Sequence, residues 1–435
     1  DGVVSDWSPS MGWHVERNVA DPLADLERLV TQYTPASVPE LGAFWGGAVG
    51  YLGYDVVRAI ESLPHAPIRN LNIPDALFVF TRGLVVIDNF RSQGRVIVSV
   101  PVPRSADERT LRALYDEACS ELDSIASRLL EPSPLEPLAL GPPARESVGV
   151  SSYEHDKFIE DVERIKEYIR AGDVFQCLLA RRIDVAHDFD STDLYRALRA
   201  LNPSPYMYHL DLDGAELVGC SPELLVRLAN RQVTVRPIAG TRPRGKTVAA
   251  DEQMTAELLA DEKERAEHVM LVDLGRNDVG RIAEYGTVEV SDFMCVEKYS
   301  HVLHIVSQVD GRVRPGVGVA DVLRATFPAG TMTGAPKVRA MQIIDELEPE
   351  RRGAYAGAVG YIAWGGERID LAITIRTCVI ANGIASAQAG AGIVADSVPE
   401  MEWLETENKA RAVLTAIAQV RDAKGASARN MSPVA

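Results

Sequence analysis

Two short acidic strings lie far apart in the chain: Glu264-Arg265-Ala266-Glu267 and Glu402-Trp403-Leu404-Glu405, the second followed by Lys409. Residues three and seven apart share one face of an α-helix, so each string aims its carboxylates in one direction if its segment is helical. Two such faces turned toward one space would hold a hard divalent cation such as Mg2+, which takes oxygen ligands and keeps water or substrate in its shell. The same spacing also describes an ordinary solvated helix face. Other residues have to decide between the two.

Several common signatures are excluded. Gly330-Thr331-Met332-Thr333-Gly334-Ala335-Pro336-Lys337 faintly resembles a phosphate loop, but its Lys follows Ala-Pro rather than the second Gly, so the spacing fails. Gly390-Ala391-Gly392 lacks the third Gly of a dinucleotide fingerprint, and neither H-E-x-x-H nor G-x-S-x-G occurs. What remains is a set of unusual strings: Gly219 to Glu223, Pro237 to Arg242, Asp261 to His268, Asp273 to Asp278, Gly330 to Lys337, Thr374 to Arg376, Ala389 to Gly392 and Glu402 to Lys409.

The elements that carry these strings are read from periodicity and turn residues. One long helical stretch is expected over Asp251 to Ile282. A final helix should start after Ser397, with Ser397 and Glu400 as a capping box and Pro399 in the first turn. Further helices are expected at Ala106–Leu130, Ser152–Ala171 (ended by Gly172), Asp193–Leu201, Val319–Thr326 and Lys337–Leu347. Strands are expected within Ala43–Tyr54 and at Leu77–Asn89, Arg95–Val100, Val174–Val185, Leu224–Leu228, Gln232–Pro237, Val288–Val296, His304–Val313, Ala356–Trp364, Ile369–Ala381 and Ala385–Gly392. Tyr206–Leu212 and Glu216–Cys220 flank Asp213-Gly214, a strong hairpin signal. Strands in runs joined by hairpin turns favour an α+β body with antiparallel sheets over a doubly wound parallel sheet. Gly47-Ala48-Val49-Gly50-Tyr51 recurs as Gly357-Ala358-Val359-Gly360-Tyr361, which fits two related β units in one body.

The chain has 435 residues, 46% hydrophobic and 25% charged, an ordinary globular composition with room for two or three domains. Residues 131–148 are Pro-rich and aperiodic, the best linker candidate between a β-rich domain at 1–130 and a second domain at 149–425. A net charge of -17 with pI near 5.0 argues against a nucleic-acid partner. Five cysteines without C-x-x-C spacing suit unpaired thiols in a reducing, cytoplasmic compartment. No apolar run reaches membrane-spanning length. The sequence opens on Asp1 rather than Met, which leaves targeting open.

Taken in order, the strings closely resemble the chorismate-utilising enzyme family, and most nearly its anthranilate-forming branch. The match over Ser152 to Val420 carries the catalytic motifs, and the residues before the linker are similar to that branch's N-terminal domain more loosely. The resemblance implies large antiparallel sheets packed as a sandwich with flanking helices. It implies Mg2+-dependent amination of chorismate at C2, loss of the C4 hydroxyl and elimination of pyruvate. Glu267 and Glu405 resemble the direct metal ligands, Glu264 and Glu402 the outer pair. Glu223 matches the general acid, which needs a raised pKa to work near neutrality. His304 matches the residue that assists pyruvate elimination. Thr331, Tyr355, Arg376 and Lys409 match substrate contacts, as do Ala239, Gly240, Thr241, Gly390 and Gly392. The glycines would let backbone N–H groups approach an anion.

Two positions separate the branches. Water-adding relatives carry a Lys where this chain has Gln176, and a neutral amide is a poor base. Aminodeoxychorismate synthases resemble this chain but carry a nucleophilic Lys where it has Ala239. Direct attack by ammonia at C2 is what remains. No Cys sits in a G-x-C-x-G setting, so the ammonia should come from a glutamine amidotransferase subunit on a separate chain, in a heterotetramer. Asn202-Pro203-Ser204-Pro205-Tyr206-Met207 resembles half of the family's tryptophan feedback site; the other half, a Leu-Leu-Glu-Ser string, is absent from this sequence. The alternatives are an aminodeoxychorismate synthase component, against which Ala239 speaks, and a non-catalytic tryptophan sensor, against which Glu223, His304 and both acidic strings speak.

Overall fold

The computed structural model describes residues 2–8, 10–36, 38–142, 149–299 and 302–430. Two antiparallel sheets form the body. The larger has nine strands, in the order Ile238–Pro243, Val302–Arg312, Gln232–Val235, Leu224–Ala229, Arg368–Ile373, Ala358–Ala363, Gly47–Leu52, Ala76–Phe80, with Glu289–Lys298 also paired to Val302–Arg312. The smaller has seven, in the order Gly334–Ala335, Gln176–Ala186, Ile384–Ile393, Thr377–Ala381, Ala215–Ser221, Tyr206–Leu212, with Val150–Ser151 also on Gln176–Ala186. The architecture is the expected α+β one.

Alternation along the strands assigns each face to a layer. Tyr51, Val359 and Ala372 of the larger sheet pack with Leu212, Leu217 and Val379 of the smaller one. The other face of the smaller sheet is covered by helices. Leu194 and Leu198 (helix Ser191–Leu201) and Val413 and Ile417 (helix Pro399–Asn430) lie on Val218, Cys378 and Ala387. Phe158 and Ile165 (helix His155–Ala171) and Ile343 (helix Lys337–Leu347) lie on Cys177, Leu179 and Ala391. The Pro-rich segment runs against the same layer. The Gly141 N–H donates to Gln419 O at 2.9 Å, and Arg196 donates to Glu136 O at 2.8 Å. Residues 143–148 of that segment lie outside the described residues.

The repeated pentapeptide has a structural meaning. Gly47–Leu52 and Ala358–Ala363 are adjacent antiparallel strands, and Gly50 stands opposite Gly360. The two copies are therefore related by a local twofold through that glycine pair. A Cβ on Gly50 would fall 2.0 Å from Leu77 O, and one on Gly360 would fall 2.2 Å from Asp370 O. Both glycines are dictated by the close approach of the flanking strands.

Three sequence expectations fail where the chain changes sheet or direction without a local signal. Ile369–Ala381 is two strands, one in each sheet, broken at Thr374 to Arg376; Arg376 has φ +50°. Leu77–Asn89 is also two strands, Ala76–Phe80 in the larger sheet and Gly83–Asp88 in a separate hairpin with Gln93–Val98. Asp251–Ile282 is two helices, Val248–Ala260 and Glu262–Gly280. The capping box before the last helix does not form: the Ser397 hydroxyl accepts the Val394 N–H at 3.0 Å, and Glu400 bonds His155 at 3.1 Å.

Gly50→Ala or Gly360→Ala should each cost about 3 kcal/mol, because backbone carbonyls of the neighbouring strands must move. The midpoint of urea unfolding measures this; an unchanged midpoint for both would mean that the Leu77 and Asp370 carbonyls do not approach these glycines so closely.

Candidate active site

Glu264 and Glu267 are aimed by the break between two helices. Asp261 ends the first helix and caps the second, accepting from the Lys263 and Glu264 N–H groups at 3.0 and 3.1 Å. Arg242, at the end of the strand Ile238–Pro243, reaches Asp261 at 2.6 Å and Glu264 at 3.1 Å. Glu405 comes from the last helix and pairs with Lys409 at 2.7 Å, one turn on. The two strings meet at Glu267. Burial raises the pKa of its carboxyl, Glu264 raises it further, the Gln176 amide and Lys409 lower it, and Glu405 raises it again. Glu402 is also raised, first by burial, with Glu405 adding to it and a Ser397 hydrogen bond opposing it. Each of the other three carboxylates has its own partner: Arg242 on Glu264, Gln176 on Glu267 at 3.1 Å, Lys409 on Glu405. Among the described residues no three metal-ligating side chains stand together in positions to hold an ion.

Gln176 opens the strand Gln176–Ala186 and is buried. Its Nε2 donates to Glu267, while its Oε1 is buried with no hydrogen-bond partner. Gly392 lies in the adjacent strand, where a Cβ would sit 2.4 Å from Gln176 Nε2. Gly392 therefore makes room for the amide. Gly390 leaves its carbonyl to Lys409, which donates to it at 3.0 Å.

Glu223 and Arg376 sit at the seam between the sheets. The strand Ala215–Ser221 belongs to the smaller sheet and Leu224–Ala229 to the larger, so Pro222-Glu223 is a crossing. The break at Thr374 to Arg376 is the second crossing, and the two are bonded to each other. Ile373 N–H donates to Glu223 O at 3.0 Å, and Cys220 N–H donates to Arg376 O at 3.1 Å. The Glu223 carboxyl is buried, and this loss of hydration pushes its pKa up to about 7. A Thr331 hydrogen bond, the Ile238 N–H, Lys409 and Arg376 pull it partly back. The Thr331 Oγ1 forms no bond of ordinary geometry, so this pull is weak. The Arg376 guanidinium has no hydrogen bond or ion pair among the described residues, and burial lowers its pKa. A cation held this way is open to an anionic ligand.

His304 lies opposite a bulge. Ala239 and Thr241 pair with Ile305 and His304, and Gly240 between them takes φ +65°. The Gly240 carbonyl stands 2.9 Å from His304 Nδ1 and Thr241 Oγ1 3.2 Å from it. The carbonyl can only accept, so Nδ1 carries the proton and Nε2 keeps a lone pair. Burial lowers the pKa of the ring, which is neutral at pH 7. Tyr355 is buried with its ring centroid 5.8 Å from Arg352 Cζ.

Asn202, Pro203 and Ser204 line a small cavity together with Tyr299, His304 and Arg376. The rest of that motif turns elsewhere. The Tyr206 hydroxyl bonds Asp370 at 3.0 Å, Met207 packs under the helix-covered face of the smaller sheet, and Pro205 is exposed. Two neighbours escaped the sequence reading. Tyr299 stands edge-on to His304 at 5.4 Å, and Arg242 holds Glu264. The only available signal was their closeness in sequence to His304 and Gly240.

Residues 12–415 match the chorismate binding enzyme family, and the chain belongs to it. Within the family, this chain is 48% identical to the anthranilate synthase component 1 of Pseudomonas putida over 92% of its length and 80% of that protein's. It is 47% identical to the anthranilate synthase component 1 of Aquifex aeolicus, over 91% and 79%. The crystal structure of anthranilate synthase component I from Streptococcus pneumoniae superposes with a TM-score of 0.82 at 37% identity, covering 94% of this chain and 89% of that one.

Because burial moves the Glu223 pKa from the ordinary 4.5 up to about 7, the folded state binds more protons between those values. Its contribution to stability is therefore full below pH 4.5 and is lost as pH rises through 7. Glu223→Gln should be more stable than the unmodified chain at pH 8, by up to about 3 kcal/mol, and no more stable at pH 4. Equal gains at both pH values would place the carboxyl outside a buried environment.

Proposed function

We propose that this chain is the large subunit of an anthranilate synthase, converting chorismate and ammonia to anthranilate and pyruvate in tryptophan biosynthesis. The observation that carries the mechanism is the buried Glu223, its pKa raised to about 7, on a crossing bonded to the one that carries the unpaired Arg376. Ammonia adds to C2, and the C4 oxygen takes the Glu223 proton and leaves as water, since hydroxide itself leaves poorly. Aromatisation then needs a proton removed from C2 as the C3–O bond breaks, with a proton delivered to the enolpyruvyl methylene to form pyruvate. A neutral His304 with a lone pair on Nε2 suits the first of these transfers. Arg376 suits a substrate carboxylate. Gln176 cannot deprotonate water but does not hinder a nucleophile that is already neutral, and Ala239 offers no competing nucleophile.

Glu264, Glu267, Glu402 and Glu405 are the residues that would hold Mg2+. The donor set fits: all are hard oxygens, and Glu264 and Glu405 add to the rise that burial gives the Glu267 pKa, negative charge that a divalent cation offsets. When bound, the ion would act as a Lewis acid on the ring carboxylate. The component naming of the relatives supports a second chain, here a glutamine amidotransferase supplying ammonia in a heterotetramer. The match of Asn202 to Met207 with half of the family's tryptophan site supports tryptophan feedback. No helix among the described residues is long and apolar enough to cross a membrane, in keeping with work in the cytoplasm.

Anthranilate fluorescence from chorismate, ammonium and Mg2+ tests the reaction. Amination without aromatisation would favour an aminodeoxychorismate synthase, and tryptophan binding without turnover a sensor. Glu223→Gln should lower kcat by about 10²- to 10⁴-fold. The fall in rate as pH rises above about 7 should vanish with it; a retained fall would assign the limb to another group. Glu405→Gln should raise the Mg2+ concentration for half-maximal rate at least about tenfold, and an unchanged requirement would remove Glu405 from the ligand set.

A further inference from the structure

The strand Gln176–Ala186 is paired along one edge with Ile384–Ile393. Its other edge is paired only in patches, by Gly334–Ala335 opposite Cys177 and Gln176 and by Val150–Ser151 opposite Asp184 and Ile183. Between the patches, the Leu178 carbonyl and the Ala180 N–H are buried without a strand to bond. An ion pair meets both. Arg352 Nη2 donates to Leu178 O at 3.2 Å, and Glu348 Oε1 accepts the Ala180 N–H at 2.9 Å. The pair is itself joined in a fork, with Nη2 to Oε1 at 2.6 Å and Nε to Oε2 at 2.9 Å. Arg352 is 1% exposed and Glu348 5%. The remaining guanidinium nitrogen, Nη1, donates to Met332 O at 2.7 Å, the residue after Thr331. The guanidinium carbon lies 4.7 Å from the Tyr54 ring centroid and 5.8 Å from that of Tyr355.

We propose that Arg352 and Glu348 are positioning residues for the reaction, a buried ion pair that stands in for a missing strand and fixes Gln176, Thr331 and Tyr355 relative to one another. Those three come from distant parts of the chain, and one planar group contacts the segments that carry them. A buried pair is a poor way to gain stability, because well-packed apolar side chains of similar volume often do as well or better. What apolar side chains cannot do is donate to Leu178 O and Met332 O or accept from Ala180. The pair therefore acts on geometry, through the backbone of residues next to the site.

The inference rests on the function proposed above, and the double variant Arg352→Met/Glu348→Leu tests it. Cooperative unfolding should be retained. The kcat should fall on the order of 10²-fold, as misplaced reacting groups do, while KM for chorismate changes by less than about threefold. Amide exchange should quicken in segments 176–180 and 330–333. A purely structural pair would lower the melting temperature and leave kcat of the folded protein unchanged. If the double variant does not fold, Arg352→Lys, which keeps the charge but not the fork, should show the same kcat loss with KM held. Unmodified kcat together with unmodified exchange in a folded variant would overturn the proposal. Absence of anthranilate formation by the unmodified chain would instead defeat the functional reading, and the exchange result would still decide whether the pair holds those segments.

Discussion

Two backbone hydrogen bonds hold the molecule's working part together: Ile373 N–H to Glu223 O and Cys220 N–H to Arg376 O. They tie one sheet-to-sheet crossing to another, and both crossings deliver a charged side chain to the seam. A strand that leaves one sheet for the next exposes backbone groups that must be satisfied inside the protein. Pairing the crossings with each other satisfies them and brings an acid and a guanidinium to one buried seam. The raised pKa of Glu223 follows from that burial. The positive φ of Arg376 is the local conformational cost of the same arrangement.

Charge is organised around this seam with a bias opposite to the chain as a whole. A protein of net charge -17 presents Arg376 and Lys409 to the seam, where both lower the pKa of Glu223, while Glu264 and Glu405, from the two acidic strings, both raise that of Glu267. Lys409 acts on both parts. It bonds Glu405 and the Gly390 carbonyl, and its charge lowers the pKa of both Glu223 and Glu267. Burial lowers the pKa of His304, which shares a cavity with Arg376.

Elements with local punctuation were legible in the sequence. Asp213-Gly214 makes the turn between Tyr206–Leu212 and Ala215–Ser221, and Gly172 ends its helix in the left-handed conformation. The acidic strings were legible too, because three-residue spacing on a helix is a fixed geometric fact. Changes of sheet were not. Ile369–Ala381 reads as one apolar strand because nothing in its composition marks the point where it leaves the larger sheet. Asp261 looks like one more acid in a helical run, yet it caps a second helix and turns Glu264 toward Arg242. Ser397 and Glu400 match a capping pattern, but tertiary partners took both side chains. The strand Ile238–Pro243 escaped because Gly240 and Pro243 weaken its local signal, although it carries the bulge that orients His304.

A crystal structure with Mg2+ and an unreactive chorismate analogue would test most directly whether the two acidic helices and the sheet seam serve one reaction. The expected result is one ion among the carboxylates of both helices, a ligand carboxylate on Arg376, and the Glu223 carboxyl within hydrogen-bond distance of the oxygen at C4. An analogue bound away from the seam, or an ion held by one helix alone, would contradict it.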